Sequence, residues 1–232
     1  MTINGIDIAF FGATLLSKQI TNHDVVQIYD WLDGASSPVF SRTEQRFKDI
    51  TLTVLIETNS EVETESQFSA LIRELKDCTV VFDGLSKQYD CHFKGKAEPK
   101  RLTPNAWLVE MEMLCHRTYL PEVIVTANGV SHKIITNLGV LPAPCLITVT
   151  PSGAITEFVI YGLGTTDFRI RNLEATEPHE IDGYLYRYLK NGVNDIANYN
   201  AFEWPVLPTG TTDVIFSHST TNITIQYYPI YN

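Results

Sequence analysis

Residues 137–150 read NLGVLPAPCLITVT, and this proline-punctuated stretch divides the chain. Proline fixes its own φ and biases the preceding residue toward extended backbone, so Pro142 and Pro144 predict a stiff connector over 141–144. A strand over 145–150 follows at once. Before this elbow the apolar pattern is mixed, with one helical segment among strands; after it, only strand patterns occur. The reading is two modules, 1–136 and 137–232, each large enough to bury a core.

In the first module, Ile50–Ile56 (ITLTVLI) is a compact β-branched run that predicts a buried strand. The period then changes. Ser60 and Glu63 have capping-box spacing, acidic Glu61, Glu63 and Glu65 open the segment, and Arg73 and Lys76 close it, all of which suits a helix dipole. Phe68, Leu71, Ile72 and Leu75 fall at i, i+3, i+4 and i+7, one apolar stripe on a helix over 61–77. Strands are expected over 78–83, 88–94 and 106–115, the last two flanking a GKAEPKRLTPN loop. In the second module, strands over 145–150, 155–161, 168–171, 184–190, 213–217 and 223–228 are separated by Pro-Ser-Gly, Asn-Gly and Pro-Thr-Gly turn signals. That spacing predicts a sandwich or jelly roll.

The formal net charge is −10, split evenly: 12 basic against 17 acidic residues up to Leu120, and 5 against 10 beyond it. Neither half is a basic domain, which argues against sequence-independent or specific nucleic-acid binding. An acidic surface does suit a wall past which DNA slides. The first residues lack a basic n-region and carry Asp7, unlike a secretory signal, and no apolar run reaches transmembrane length, so no membrane insertion is expected. Cys78, Cys91, Cys115 and Cys145 are dispersed without C-x-x-C and read as buried free thiols in a reducing compartment.

Candidate chemistry is sparse. Cys91-His92 and Cys115-His116 contain the donors of a tetrahedral zinc site, but neighbours on a strand point to opposite faces, so no metal is expected. Glu174, Glu177, Glu180 and Asp182 form an acidic set that a solvated loop explains as well as a glycosidase pair does. With no G-x-S-x-G elbow or Walker motif, neither catalysis nor a cofactor is expected. Lys94, Lys96, Lys100 and Arg101 cluster on the expected loop and read as solvated or subunit-facing. Tyr184, Tyr186 and Tyr188 alternate with Leu185, Arg187 and Leu189, so a strand there shows three phenols on one face. With Trp204 they are candidate glycan- or partner-binding residues, core or inter-subunit packing being the preferred alternative.

The NLGVLPAP elbow, Ile181-Asp182, Leu189-Lys190-Asn191-Gly192, and Trp204 to Gly210 (WPVLPTG) before a final strand pair resemble the distal tail protein (Dit) family of long, non-contractile-tailed phages. Thr211-Thr212-Asp213 departs from the Asn such proteins often carry after that glycine. The resemblance spans nearly the whole chain and implies a mainly β fold: a tail-tube-like ring domain, a β-sandwich or split barrel with one helix, then a galectin-like β-sandwich. It implies a non-enzymatic, homo-hexameric virion ring at the tail tip, assembled in the bacterial host cytoplasm. Such a ring joins the tail tube protein to the tail-tip hub and to receptor-binding or baseplate proteins, with a channel for DNA. Phe68, Leu71 and Leu75 would hold the helix onto the ring-domain sheet, and Trp107 would pack there. The alternative is a carbohydrate-binding module for host cell-wall or capsular glycan.

Overall fold

The computed structural model describes residues 1–21, 25–31, 36–45 and 47–231. It is mainly β with one α-helix, and it divides into two compact units, Met1–Thr118 and Tyr119–Tyr231.

The first unit contains β1 (Thr2–Ile3), β2 (Ile6–Asp7), a 3-10 turn at Ile8–Phe11, β3 (Ala13–Ile20), β4 (Val25–Asp30), β5 (Val39–Gln45) and β6 (Lys48–Glu57). Helix α1 (Glu61–Leu75) is followed by β7 (Asp77–Val81), β8 (Gln88–Thr103) and β9 (Ala106–Tyr119). One sheet has the order β2-β1-β7-β8-β9-β6-β3, while β4 and β5 pair with each other as a separate ribbon. β6 and β9 run antiparallel from Lys48 opposite Cys115 to Glu57 opposite Ala106. Strict alternation turns Ile50, Leu52, Val54 and Ile56 inward, to meet Val109, Met111 and Met113 in the same core.

Helix α1 forms where its caps predict. The Ser60 side chain accepts from Glu63 N at 3.3 Å, and Glu63 Oε2 accepts from Asn59 N at 3.2 Å. Leu71 and Leu75 are fully buried, and Phe68 is half-buried with its ring 5.9 Å from Trp107, edge to face. The helix stops at Leu75, two residues before the sequence-based limit, because Asp77 already begins β7. Asp90 ties three neighbouring strands: its carboxylate accepts from Thr79 Oγ1 on β7 at 2.8 Å and from Arg117 on β9 at 2.6 and 2.8 Å.

The expected loop over 95–105 is largely strand. β8 continues to Thr103, and only Pro104 and Asn105 turn the chain into β9. Gly, Pro and charge in that stretch are tolerated because they sit on a solvent-facing hairpin rather than in the sheet centre.

The second unit begins with β10 (Val123–Asn128), β11 (His132–Asn137), β12 (Ala143–Pro151), β13 (Ile155–Tyr161) and β14 (Phe168–Leu173). It continues through β15 (His179–Asp182), β16 (Arg187–Lys190), β17 (Val193–Asn194), a 3-10 turn at Ile196–Asn198 and β18 (Tyr199–Asn200). β19 (Val206–Leu207), β20 (Gly210–Phe216), β21 (Thr221–Tyr227) and β22 (Ile230–Tyr231) complete it. Two sheets, β10-β21-β12-β15-β16-β17 and β11-β20-β13-β14-β18, bury one core between them, with Ile147 and Ile225 from the first and Phe158, Phe168 and Phe216 from the second. β19 pairs with the start of β12, and Ile230 of β22 bridges Leu141.

The proline elbow lies inside this sandwich, not between the units. It carries the chain from β11 in one sheet to β12 in the other, and buried Asn137 holds it, donating to the carbonyls of Leu141 and Leu207 while accepting from Gly139 N at 2.9 Å. The division falls at 118/119 instead of 136/137 because β10 pairs with residues 222–227 of β21 and β11 with residues 210–215 of β20.

Candidate functional site

The aromatic segment of the second unit departs most from its sequence-based expectation. Tyr184, Tyr186 and Tyr188 do not share a strand face, because residues 183–186 form the turn between β15 and β16. Asp182 makes that turn: its Oδ1 accepts from the amides of Tyr184 and Leu185, both at 3.0 Å, while Oδ2 accepts from Arg187 Nε at 3.2 Å. Gly183 is required there, since a Cβ would strike the Pro205 carbonyl and sit 2.9 Å from the Cys145 carbonyl. Tyr186 takes a left-handed backbone, φ 53°, which breaks the alternation.

The three tyrosines therefore go three ways. Tyr184 is half-buried and its hydroxyl accepts from Tyr228 N at 3.1 Å. Tyr188 is fully buried, with its hydroxyl 2.6 Å from His179 Nδ1. Tyr186 is 68% exposed and meets Trp204 edge to face at 6.2 Å.

From Tyr188 a column of rings runs outward. His179 stacks on Tyr188 at 6.0 Å, Tyr188 on Tyr199 at 5.8 Å, and Tyr199 on Trp204 at 4.9 Å with the planes 16° apart. Burial pushes the Tyr188 and Tyr199 hydroxyls well above the ordinary phenol range and the His179 imidazole below its ordinary range, so His179 is the neutral form. Its Nε2 is buried without a hydrogen-bond partner among the described residues.

A second set of contacts pins the outer end of the column. Tyr199 donates its hydroxyl to the Glu203 carbonyl at 2.9 Å. The Glu203 carboxylate accepts from Thr165 N at 2.6 Å, from Thr165 Oγ1 at 2.9 Å and from Thr166 N. These bonds, that of the Thr165 side chain foremost, hold Glu203 below the usual carboxylate range. Between the two pinned residues stands Phe202, 99% exposed. Sequence reasoning missed His179, Tyr199, Phe202 and Glu203; the only signal was the aromatic density from Tyr184 to Trp204.

The other candidates resolve into local structure. Cys91 and Cys115 point into the core of the first unit, whereas His92 and His116 stack on each other outside it at 4.6 Å. A shared hydrogen bond with Cys115 raises the Cys91 thiol, and burial raises Cys78 to about 12. Lys190 bridges Glu174 at 2.6 Å and Glu177 at 3.3 Å, which accounts for part of the acidic set. Lys94 pairs with Asp49 at 2.7 Å; Arg101 pairs with Glu61 at 2.6 Å and lies over the Trp107 ring; Lys100 is exposed; the side chain of Lys96 is outside those described. An open groove of about 540 Å³ is lined by Ser152, Thr156, Glu157, His218 and Thr220. Beside it Ser217 Oγ lies 2.9 Å from His218 Nδ1 but also accepts from Val159 N, and Glu157 faces Arg169 and Arg171, so serine, histidine and acid form no relay.

The crystal structure of SPP1 Dit (gp 19.1), described as a paradigm of the hub adsorption apparatus in Gram-positive infecting phages, superposes with a TM-score of 0.79 over 99% of this chain and 98% of that one. This chain has the Dit fold. Sequence identity to SPP1 Dit is 15%, so the likeness is one of fold. Two structures of the phage P2 baseplate in its activated conformation share the Dit-like fold more distantly. The calcium form has a TM-score of 0.56 at 8% identity and the strontium form 0.58 at 9%, each over 95% of this chain and 92% of theirs. No family model and no curated protein matches the sequence.

Proposed function

We propose that this chain is a structural, non-enzymatic hub protein of a phage tail tip or tail-like particle. In this reading six copies close a ring through their first units, the tail tube protein sits against it, and DNA passes through the middle. The second unit holds tail-tip, baseplate or receptor-binding proteins. The observation that carries the reading is the match to SPP1 Dit along the full length of both chains, which covers both units and not a common sandwich alone.

Two features of the molecule support it. The β4–β5 ribbon exposes Tyr29, Trp31 and Phe40, and an isolated two-stranded ribbon with outward aromatics needs a covering surface to be stable. A head-to-tail contact between unlike surfaces that closes on itself supplies that cover in every copy. The even acidic balance of the chain favours passage of DNA over its capture.

Native mass spectrometry of the purified protein tests the proposal. A species at six times 26.2 kDa, about 157 kDa, is expected. A strict monomer at the concentrations of assembly overturns a self-closing ring and makes a glycan-binding module the reading to test next.

A further inference from the structure

The two sheets of the second unit end side by side at one margin, where β17 is the last strand of one sheet and β18 the last of the other. The stack of Tyr188 on Tyr199 joins them. This margin carries Leu185, Tyr186, Val193, Ile196 and Phe202, all exposed, beside half-buried Trp204. Exposed apolar groups gathered on one edge mark an interaction surface, whereas scattered ones need no explanation.

Its chemistry selects the kind of partner. Leu185, Val193 and Ile196 are aliphatic and offer a sugar neither a ring face nor a hydrogen bond. The hydroxyls of Tyr188 and Tyr199 are already spent on His179 and the Glu203 carbonyl. Phe202 stands on a segment whose backbone is held by the Tyr199–Glu203 bond and by the Glu203 carboxylate in the Thr165–Thr166 amides, so docking has only the two side-chain torsions of its ring left to order. An exposed aromatic ring on a fixed backbone suits a pocket on another protein. Charge points the same way: no Lys or Arg follows Lys190, the basic side chains of β16 are engaged by Asp182, Glu174 and Glu177, and the segment beyond adds Asp195 and Glu203.

We propose that the β16–β18 margin docks another protein of the same particle, one whose face offers an apolar pocket rimmed by basic side chains, with Phe202 as the anchor. The identity of the particle rests on the tail-tip reading; the surface itself rests on the residues above.

The test measures binding of the full chain to each other purified structural protein of the particle, for wild type, Phe202→Ser and Ile134→Ser. Ile134 is an exposed apolar residue on β11, away from this margin, and serves as control. Because Phe202 is almost wholly solvated, its removal leaves the fold intact, which native mass spectrometry of the same samples checks. The expected result is one partner bound at least tenfold more weakly by Phe202→Ser, unchanged by Ile134→Ser, with affinity falling as salt rises. Equal weakening by both variants, or none by either, overturns the margin while a six-copy ring keeps the tail-tip reading. Saturable binding to purified cell-wall polysaccharide that Phe202→Ser abolishes overturns it in favour of a glycan. A wild-type chain that forms no ring and binds none of the proteins overturns both readings.

Discussion

His179 should make the second unit weaken as pH falls, and His179→Gln should remove that dependence. The imidazole is fully buried, hydrogen-bonded through Nδ1 to Tyr188 and without a partner at Nε2 among the described residues, so a proton added to it creates a buried charge. Burial and the Lys190 charge depress its pKa, while Glu177, Asp195 and Glu174 oppose them without reversing the direction. The unfolded chain therefore binds a proton, near the ordinary histidine value of about 6.5, that the folded chain refuses, and stability falls with pH below that value. The slope approaches about 1.4 kcal/mol per pH unit, and the ceiling on the loss between pH 7 and pH 5.5 is about 1.3 kcal/mol, close to a tenfold change in the opening equilibrium.

Hydrogen exchange of the buried amides in β12 and β21 measures that equilibrium within the second unit alone. After correction for intrinsic rates, wild-type protection should drop between pH 7 and pH 5.5 by up to tenfold more than that of His179→Gln. Identical pH slopes, or a wild type that gains protection on acidification, would refute the argument that His179 is held neutral by burial.

Two further outcomes follow from the packing. Leu71→Asp places a carboxylate at a fully buried position of α1 and should cost several kcal/mol, of the order of the 2–5 kcal/mol for a large-to-small core change or more. Urea unfolding of the first unit should shift to lower midpoint and the ring species should vanish in native mass spectrometry; a normal ring would remove α1 from the core of that unit. Gly183→Ala drives a Cβ into the Pro205 and Cys145 backbone and should lower the thermal midpoint of the second unit by several degrees, with the Tyr184–Tyr186 turn displaced; an unchanged midpoint shows that this close approach relaxes freely.

What the sequence revealed follows the range of the interactions involved. The α1 caps, its apolar stripe and the β-branched runs over 50–56 and 155–161 are local signals, and each element formed there. The unit boundary is not local. Pro142 and Pro144 do interrupt regular pairing, yet which core the residues before them join is decided by pairing of 123–128 with 222–227 and of 132–137 with 210–215, partners some seventy to just over a hundred residues away. The charged, Gly- and Pro-containing stretch over 95–103 looked like a loop because composition cannot show that a solvent-facing hairpin tolerates it. The three tyrosines looked like a strand face because alternation alone cannot reveal that Asp182 caps a turn and that Tyr186 adopts a positive φ.

That last difference moves the candidate site rather than abolishing it. Had Tyr184, Tyr186 and Tyr188 lined one strand face, they would have offered a flat row of phenols with free hydroxyls, the surface a sugar uses. The turn instead sends Tyr188 inward, where it stacks between His179 and Tyr199 and becomes the buried foot of a column whose top is Trp204. The Tyr188 and Tyr199 hydroxyls are consumed internally, so what reaches solvent is mostly ring surface: Tyr186 at its side and Phe202 on the pinned segment beside it. The buried half of the aromatic cluster thus supplies rigidity and the exposed half supplies contact area, a division of labour that suits docking to a protein pocket and leaves little with which to read sugar hydroxyls.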